Sequence, residues 1–334
     1  MTAAATMAVL GAGSWGTALA VVLARNGVGV RLWAHRAEHA RALAADGENR
    51  RYLPGVALPA NLTVSEDLTA TLAAIGDVLI VTPSHAFSDI LSRCAPHLAP
   101  NARIAWATKG LDSTSGGLLH SVVESRLPGR STAVLSGPTF AREVAAGLPT
   151  AVTVAATDSG FAGDLAGVFH NQTFRVYTSD DVVGVELGGA VKNVLAIATG
   201  VSDGMGLGAN ARAGLITRGM AEIIRLGDSL GAQPRTFTGL AGMGDLILTC
   251  TDDQSRNRRM GLALGRGETI EQAQATIAQT VEGLRTAAEV HRLAGRQGVD
   301  MPICEQVHRL VRGEVTPGEA TRNLMQRERR SEFD

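Results

Sequence analysis

Short apolar runs that alternate with helical patterns through the first half of the chain, then helices alone, predict an α/β protein. The expected architecture is an N-terminal doubly wound parallel sheet followed by an all-helical C-terminal domain. Two further observations support it. A Gly-x-Gly-x-x-Gly turn at 11–16 joins the first apolar run to the first helical pattern, and no convincing strand follows Asp180-Asp181. A length of 334 residues suits two domains at ~100–200 residues each. They are placed at 1–180 and 181–334, with the boundary near 178–184.

Met7-Ala-Val-Leu10 reads as a buried strand, 17–26 as a helix stopped by Gly27, Val28-Gly-Val-Arg-Leu-Trp33 as a second strand and 37–45 as a second helix. Asp77-Val-Leu-Ile-Val-Thr82 is continuously apolar up to Pro83, as in a parallel strand covered on both faces. Helices at 84–98, 117–127 and 139–146 then alternate with strands at 103–107, 132–135 and 151–155. Helices are expected over 182–202, 209–230, 257–264, 270–278, 284–297, 303–312 and 318–327, with Pro234, Pro302 and Pro317 as punctuation. The charged end, 327–334, is expected to fray.

Composition excludes several classes. With 45% hydrophobic residues the chain can build a core, and a net charge of −1 argues against nucleic-acid or membrane-surface binding. Cys94, Cys250 and Cys304 are odd in number and unpaired in spacing, which fits a reducing cytoplasm. The start, 1–6, lacks the positive charge of a signal peptide, and no apolar run is expected to reach the ~18–20 residues of a membrane span. A cytoplasmic location without membrane insertion is expected. The eight histidines show no metal-ligand spacing, so no metal is expected.

The glycine turn is the first functional feature. Gly11 permits the tight turn, Gly13 lets backbone approach a pyrophosphate and Gly16 lets helix pack on strand, the pattern of a Rossmann-type dinucleotide site. The free N–H groups of the helix start would face the anion. A glycine-rich turn that binds nothing is the alternative. Where an NAD-preferring site carries Asp or Glu after its second strand, this chain has His35-Arg36. Arg36 can bond a 2′-phosphate, so NADPH is expected to serve at least as well as NADH. An ordinary solvated charge at Arg36 is the competing reading.

Of 31 cationic residues only Lys109 and Lys192 are lysine. Lysine can shift its pKa and give up a proton, which arginine cannot. Lys109 follows an apolar strand at the sheet edge where ligands bind. Lys192 stands mid-helix with no other charge between Glu186 and Asp203, a costly position unless the ammonium is paired or bound. A snorkelling surface lysine is the alternative. Asp245, among glycines, suits a partner for a buried ammonium or else a simple cap. Ser255 is a plausible N-cap, and Arg256 and Asn257 beside the freed N–H groups form a candidate phosphate site.

Gly11-Ala-Gly-Ser-Trp-Gly-Thr17, Val81-Thr-Pro-Ser-His85, Ala107-Thr-Lys-Gly-Leu111 and Ser136-Gly-Pro-Thr-Phe140 form a set with four later segments. Those are Gly188-Gly-Ala-Val-Lys-Asn193, Gly208-Ala-Asn-Ala-Arg212, Gly242-Met-Gly-Asp-Leu246 and Ser255-Arg-Asn-Arg-Arg259. On these segments the chain resembles the bacterial NAD(P)-dependent glycerol-3-phosphate dehydrogenases over essentially its full length. The resemblance implies reduction of dihydroxyacetone phosphate to sn-glycerol 3-phosphate, a phosphorylated triose substrate and a homodimer. It makes Lys192 the proton donor and acceptor, and places Lys109, Gly137, Thr139, Asp245, Ser255, Arg256 and Asn257 around the substrate. Ser14, Trp15, His35, Arg36, Lys109, Ala141, Arg256 and Glu282 fall at cofactor positions. Thr280 does too, although valine is commoner there, and Thr249 falls near the substrate. Two rival readings are a dehydrogenase of the same architecture acting on a hydroxy acid and a non-catalytic NAD(P)H sensor.

Overall fold

The computed structural model describes residues 6–329, 331 and 332. Residues 1–5, 330, 333 and 334, which bear on the expectations for the two termini, lie outside the described residues. The chain divides into two compact units. One runs to Gly189 and takes in Arg235–Asp245; the other comprises Ala190–Pro234 and the chain from Leu246 on.

The first unit begins β1 (Thr6–Leu10), α1 (Ser14–Arg25), β2 (Gly29–Trp33), α2 (Ala37–Asp46), β3 (Glu48–Asn49), β4 (Leu53–Ala57), β5 (Leu62–Ser65) and α3 (Leu68–Leu72). It continues β6 (Asp77–Ile80), α4 (Ser84–Cys94), β7 (Arg103–Trp106), α5 (Leu119–Arg126) and β8 (Thr132–Ser136). Then come α6 (Ala141–Ala146), β9 (Thr150–Ala156), α7 (Ser159–Phe169) and β10 (Phe174–Ser179). Eight strands form one sheet in the order β10-β9-β8-β7-β6-β1-β2-β5. The chain leaves β1 first toward β2 and β5, then returns to the other side at β6. The order therefore reverses beside β1, and the crevice at the carboxyl ends of β1 and β6 is where such sheets bind ligands.

Both faces are covered, which is why these strands read as apolar runs. Along β1, Met7 and Val9 join one core cluster while Ala8 and Leu10 join the other. The sheet departs from the expected parallel pattern at one pair, because β9 runs antiparallel to β8. A parallel return needs a crossover helix that retraces the strand, and the 6 residues of α6 rise only about 9 Å. The small β3–β4 ribbon, β5, α3, α7 and β10 were not legible as periodic segments.

The chain goes on through α8 (Val182–Gly204), α9 (Gly208–Ser229), α10 (Pro234–Phe237) and a π-helical turn (Leu240–Gly244) into α11 (Asp245–Thr251). After it follow α12 (Arg256–Gly265), α13 (Ile270–Ile277), α14 (Gly283–Gln297), α15 (Pro302–Val311) and α16 (Pro317–Met325). Pro302 and Pro317 occupy first-turn positions, and Thr316 closes a capping box with Glu319. α8 corrects the expectation for membrane spans. It is long and apolar enough to cross a bilayer by composition, although its apolar window is 89% buried within the protein. Lys192 and Asn193 interrupt the run without lowering its average below that of a span. Where α8 meets α12 the main chains touch: a Cβ on Gly200 would lie 2.2 Å from the Arg258 carbonyl oxygen, and one on Gly261 2.1 Å from that of Ile197. Gly204 and Gly265 repeat the contact one turn on.

In α9, Glu222 is 1% exposed and accepts from the backbone N–H groups of Ile303 (2.6 Å) and Cys304 (3.1 Å), capping α15 where Met301 cannot. Burial pushes its carboxyl up to about 7, against the pull of those two N–H groups. A folded-state pKa above the unfolded value means stability present at low pH and lost as pH rises from about 4.5 toward 7. Glu222→Gln should remove on the order of 2–3 kcal/mol of that slope, read as the pH dependence of urea unfolding. An unchanged slope in the variant would show that Glu222 does not titrate there.

Candidate active site

The dinucleotide turn is built by contacts that only glycine allows. Gly11, at φ +123°, presses on the residue just past β6 so closely that a Cβ would lie 2.5 Å from the Val81 carbonyl oxygen. A Cβ on Gly16 would lie 1.8 Å from the Gly11 carbonyl oxygen. Gly13 behaves differently: nothing lies within 4 Å of its missing Cβ. It caps α1 without a side-chain hydrogen bond, and the first turn, which includes Ser14, carries no acidic residue. That open, uncapped helix start is the cradle a pyrophosphate requires. The Trp15 Nε1 and Thr82 Oγ1 atoms are buried without hydrogen-bond partners among the described residues, so donors remain free there. The residues present fit a dinucleotide.

Two residues that the sequence did not single out hold the turn. His39 Nε2 lies 3.0 Å from the Ala12 carbonyl oxygen, and buried Asn49 donates to the same oxygen at 3.1 Å and to Thr17 Oγ1 at 2.8 Å. Past β2, His35 and Arg36 are exposed. Partial burial, then the charges of Arg36, Arg93 and His39, keep the His35 imidazole below its ordinary pKa. The end of β2 thus carries cations and no carboxylate.

Lys109 stands three residues beyond β7, its side chain 13% exposed. Nζ donates to the Gly137 carbonyl oxygen at 3.0 Å and to Asp245 Oδ2 at 2.7 Å. Asp245 is fully buried and opens α11. The ammonium it holds within its own unit is that of Lys109. Gly137 has φ +150° and packs on β9, where a Cβ would meet the Val152 Cα at 3.0 Å. Thr139, half-buried, donates to the same Gly137 carbonyl at 3.2 Å, and half-buried Ala141 begins α6. Lys109, Gly137, Thr139 and Asp245 therefore converge.

In the helical unit Lys192 is 6% exposed and donates to Thr249 Oγ1 at 2.9 Å. Ser255 caps α12, its Oγ accepting from the Arg258 N–H at 3.2 Å. Arg256 is half-buried, and its guanidinium makes no hydrogen bond or ion pair among the described residues. Asn257 braces the helices: Nδ2 donates to Asn193 Oδ1 at 2.8 Å and Oδ1 accepts from the Gly283 N–H at 2.9 Å. Glu282 is half-buried just before α14, while Thr280 is exposed. Sequence reasoning missed Arg258. Its buried guanidinium bonds Asp203 (2.5 Å), Asp253 (2.9 Å) and the Cys250 carbonyl (3.1 Å), holding the start of α12. Burial acts to raise the Asp203 carboxyl, but Arg212 and Arg258 outweigh it and hold it below the ordinary value.

The sequence pattern of the N-terminal part of the NAD-dependent glycerol-3-phosphate dehydrogenases matches residues 6–162, and that of their C-terminal part matches 181–322. The chain belongs to this family. Glycerol-3-phosphate dehydrogenase [NAD(P)+] of Halorhodospira halophila is 58% identical over 332 residues, with 99% of each chain covered. The enzyme of that name from Alkalilimnicola ehrlichii is 60% identical, covering 96% of this chain and 97% of its own. The crystal structure of glycerol-3-phosphate dehydrogenase from Coxiella burnetii superposes with a TM-score of 0.95 at 51% identity, covering 97% and 99%. Family membership makes the chain an oxidoreductase that uses NAD(P).

Proposed function

We infer that this family member reversibly reduces dihydroxyacetone phosphate to sn-glycerol 3-phosphate with NADPH or NADH, supplying the backbone for glycerophospholipid synthesis. The observation that carries the reading is the ammonium of Lys192, buried on an apolar helix with the Thr249 hydroxyl at 2.9 Å. When bound, the reduced nicotinamide supplies hydride to the substrate's carbonyl carbon. Negative charge then builds on the carbonyl oxygen, where Lys192 Nζ stabilises it and delivers a proton. In the reverse direction the amine takes that proton back.

Lys109, held by Asp245 at 2.7 Å, binds the polar end of the substrate. Gly189 leaves room beside Ser136 Oγ and the Lys109 stem. Arg256 and the N–H groups that open α12 hold the phosphate, with Ser255 shaping that helix start and Asn257 bracing it. Gly11, Gly13, Ser14, Trp15, Gly16, Ala141, Thr280 and Glu282 line the cofactor, with His35 and Arg36 at its ribose. Spectrophotometric NAD(P)H oxidation with dihydroxyacetone phosphate, against 2-keto and 3-keto acids, tests the reading; turnover of the acids alone would overturn it.

Arg36 favours NADPH. Arg36→Ser should lower kcat/KM for NADPH about tenfold, the worth of one charge-assisted hydrogen bond, and change that for NADH by less than twofold. A strong NADH preference in the unaltered enzyme would remove the inference. The enzyme is further proposed to work as a cytoplasmic homodimer, which the three buried free thiols suit as regards compartment. Sedimentation equilibrium at micromolar concentration checks the dimer, and a monomer there would exclude it.

A further inference from the structure

Glu186 entered the sequence reading only as the last charge before the apolar stretch of α8. Its side chain is 2% exposed. Oε1 accepts from Trp106 Nε1 at 3.0 Å and from the His120 backbone N–H at 3.0 Å, and Oε2 accepts from His120 Nδ1 at 2.5 Å. Trp106 is the last residue of β7, and His120 is the second residue of α5. Between them runs the segment 107–118, which carries Lys109. Leu118 stands at the N-cap of α5 and offers no side-chain oxygen, so Glu186 meets one of the helix's free N–H groups from another element.

A buried carboxylate is costly and is often replaceable by apolar side chains at no loss of stability. Among the described residues, all of its hydrogen bonds go to one end or the other of the same loop. Within the loop, Thr108 Oγ1 donates to the Thr82 carbonyl at 2.8 Å, and Asp112 Oδ2 accepts from the Ser115 N–H at 2.7 Å. The second of these is local to the loop and does not fasten its ends.

We propose that Glu186 is a positioning residue for Lys109: one buried carboxylate fastens both ends of the loop that carries this ammonium, and so fixes Nζ between Gly137 and Asp245. The proposal rests on the reading that Lys109 binds substrate. Burial works to lower the His120 imidazole, but the hydrogen bond and charge of Glu186 outweigh it and raise it above its ordinary value. The clamp is thus held by an ion pair in the acid half of the neutral range. His120 contributes stability below about 6.5 that is lost as pH rises through the raised folded value.

The test is steady-state dihydroxyacetone phosphate reduction by the full-length enzyme at saturating NADPH. Glu186→Leu, Glu186→Gln, Trp106→Phe and Lys109→Ala are measured singly, and the first three also in the Lys109→Ala background. Glu186→Leu should lower kcat/KM at least tenfold, mostly through KM, whereas general loosening of the fold would lower kcat through the active fraction. Glu186→Gln should recover to within about threefold of the unaltered enzyme, because the amide oxygen can accept both Oε1 bonds. Combined with Lys109→Ala, Glu186→Leu should cost less than a further twofold, since a residue that acts through another has no separate effect once that one is gone. Full multiplication of the two losses would overturn the proposal. Should Glu186→Leu fail to fold, Trp106→Phe decides. It keeps an aromatic ring, smaller than the indole, and removes the Nε1 bond to Glu186; it should raise KM three- to fivefold, again only when Lys109 is present, and an unchanged KM overturns the proposal. If Lys109→Ala alone keeps ordinary kinetics, the substrate role of Lys109 fails. If it is impaired while the Glu186 and Trp106 variants are ordinary, only the positioning role fails.

Discussion

Lys192→Ala should lower kcat for dihydroxyacetone phosphate reduction by about three orders of magnitude, within the 10²–10⁴ range for loss of a positioned proton donor. The reasoning starts from burial. An ammonium that is 6% exposed on an apolar helix has lost most of its hydration, and only partners such as Thr249 Oγ1 offset the cost. Such a cation is worth more to a developing oxyanion than a solvated one, because little water competes for either charge. The substrate's neutral carbonyl draws less on it, so KM should move far less than kcat. Lys192→Met keeps the length of the stem and lacks the proton, and it should be as slow as the alanine variant. Near-normal turnover in either would refute the assignment of Lys192 as the acid.

Arg256→Ala acts on the other end of the substrate. A guanidinium with no protein partner among the described residues keeps its donors for a ligand, and two charge-assisted bonds to phosphate contribute roughly 3–4 kcal/mol. KM for dihydroxyacetone phosphate should therefore rise a few hundredfold, with a smaller fall in kcat as the carbonyl loses its fixed place. Arg256→Lys should recover only part, since a single ammonium cannot reproduce the fork. An unchanged KM would move the phosphate site elsewhere, with Arg258 excluded because its guanidinium is already occupied by Asp203 and Asp253.

The alternation of apolar runs was legible in sequence because a sheet covered on both faces leaves few polar positions in its central strands. Lys109 and Lys192 were legible because arginine supplies nearly all the other positive charge. The reversal at β9 was not, since strand direction depends on how far α6 can carry the chain back and not on the residues of the strand. The small β3–β4 ribbon was hidden for a similar reason: it is short and only Asn49 and Leu53 in it are buried, yet Asn49 reaches the carbonyl of Ala12 from 37 residues away. Asn257 was read as a substrate ligand from its place in the Ser255–Arg259 motif; that its amide also bonds Asn193 and Gly283, 64 and 26 positions away, is not legible locally. Glu186 looked like an ordinary helix charge, because its partners are 66 and 80 positions distant.

Where α8 crosses α12, main chain meets main chain at Gly200, Gly204, Gly261 and Gly265. Separation of these two rods is set by hydrogen atoms, not by packing of larger groups, so it cannot drift as neighbouring side chains are exchanged over evolutionary time. Asn193 and Asn257, one on each rod, inherit that constancy. A saturation survey of the region should then show four sites where even one methyl group is rejected, set among aliphatic positions that accept many replacements.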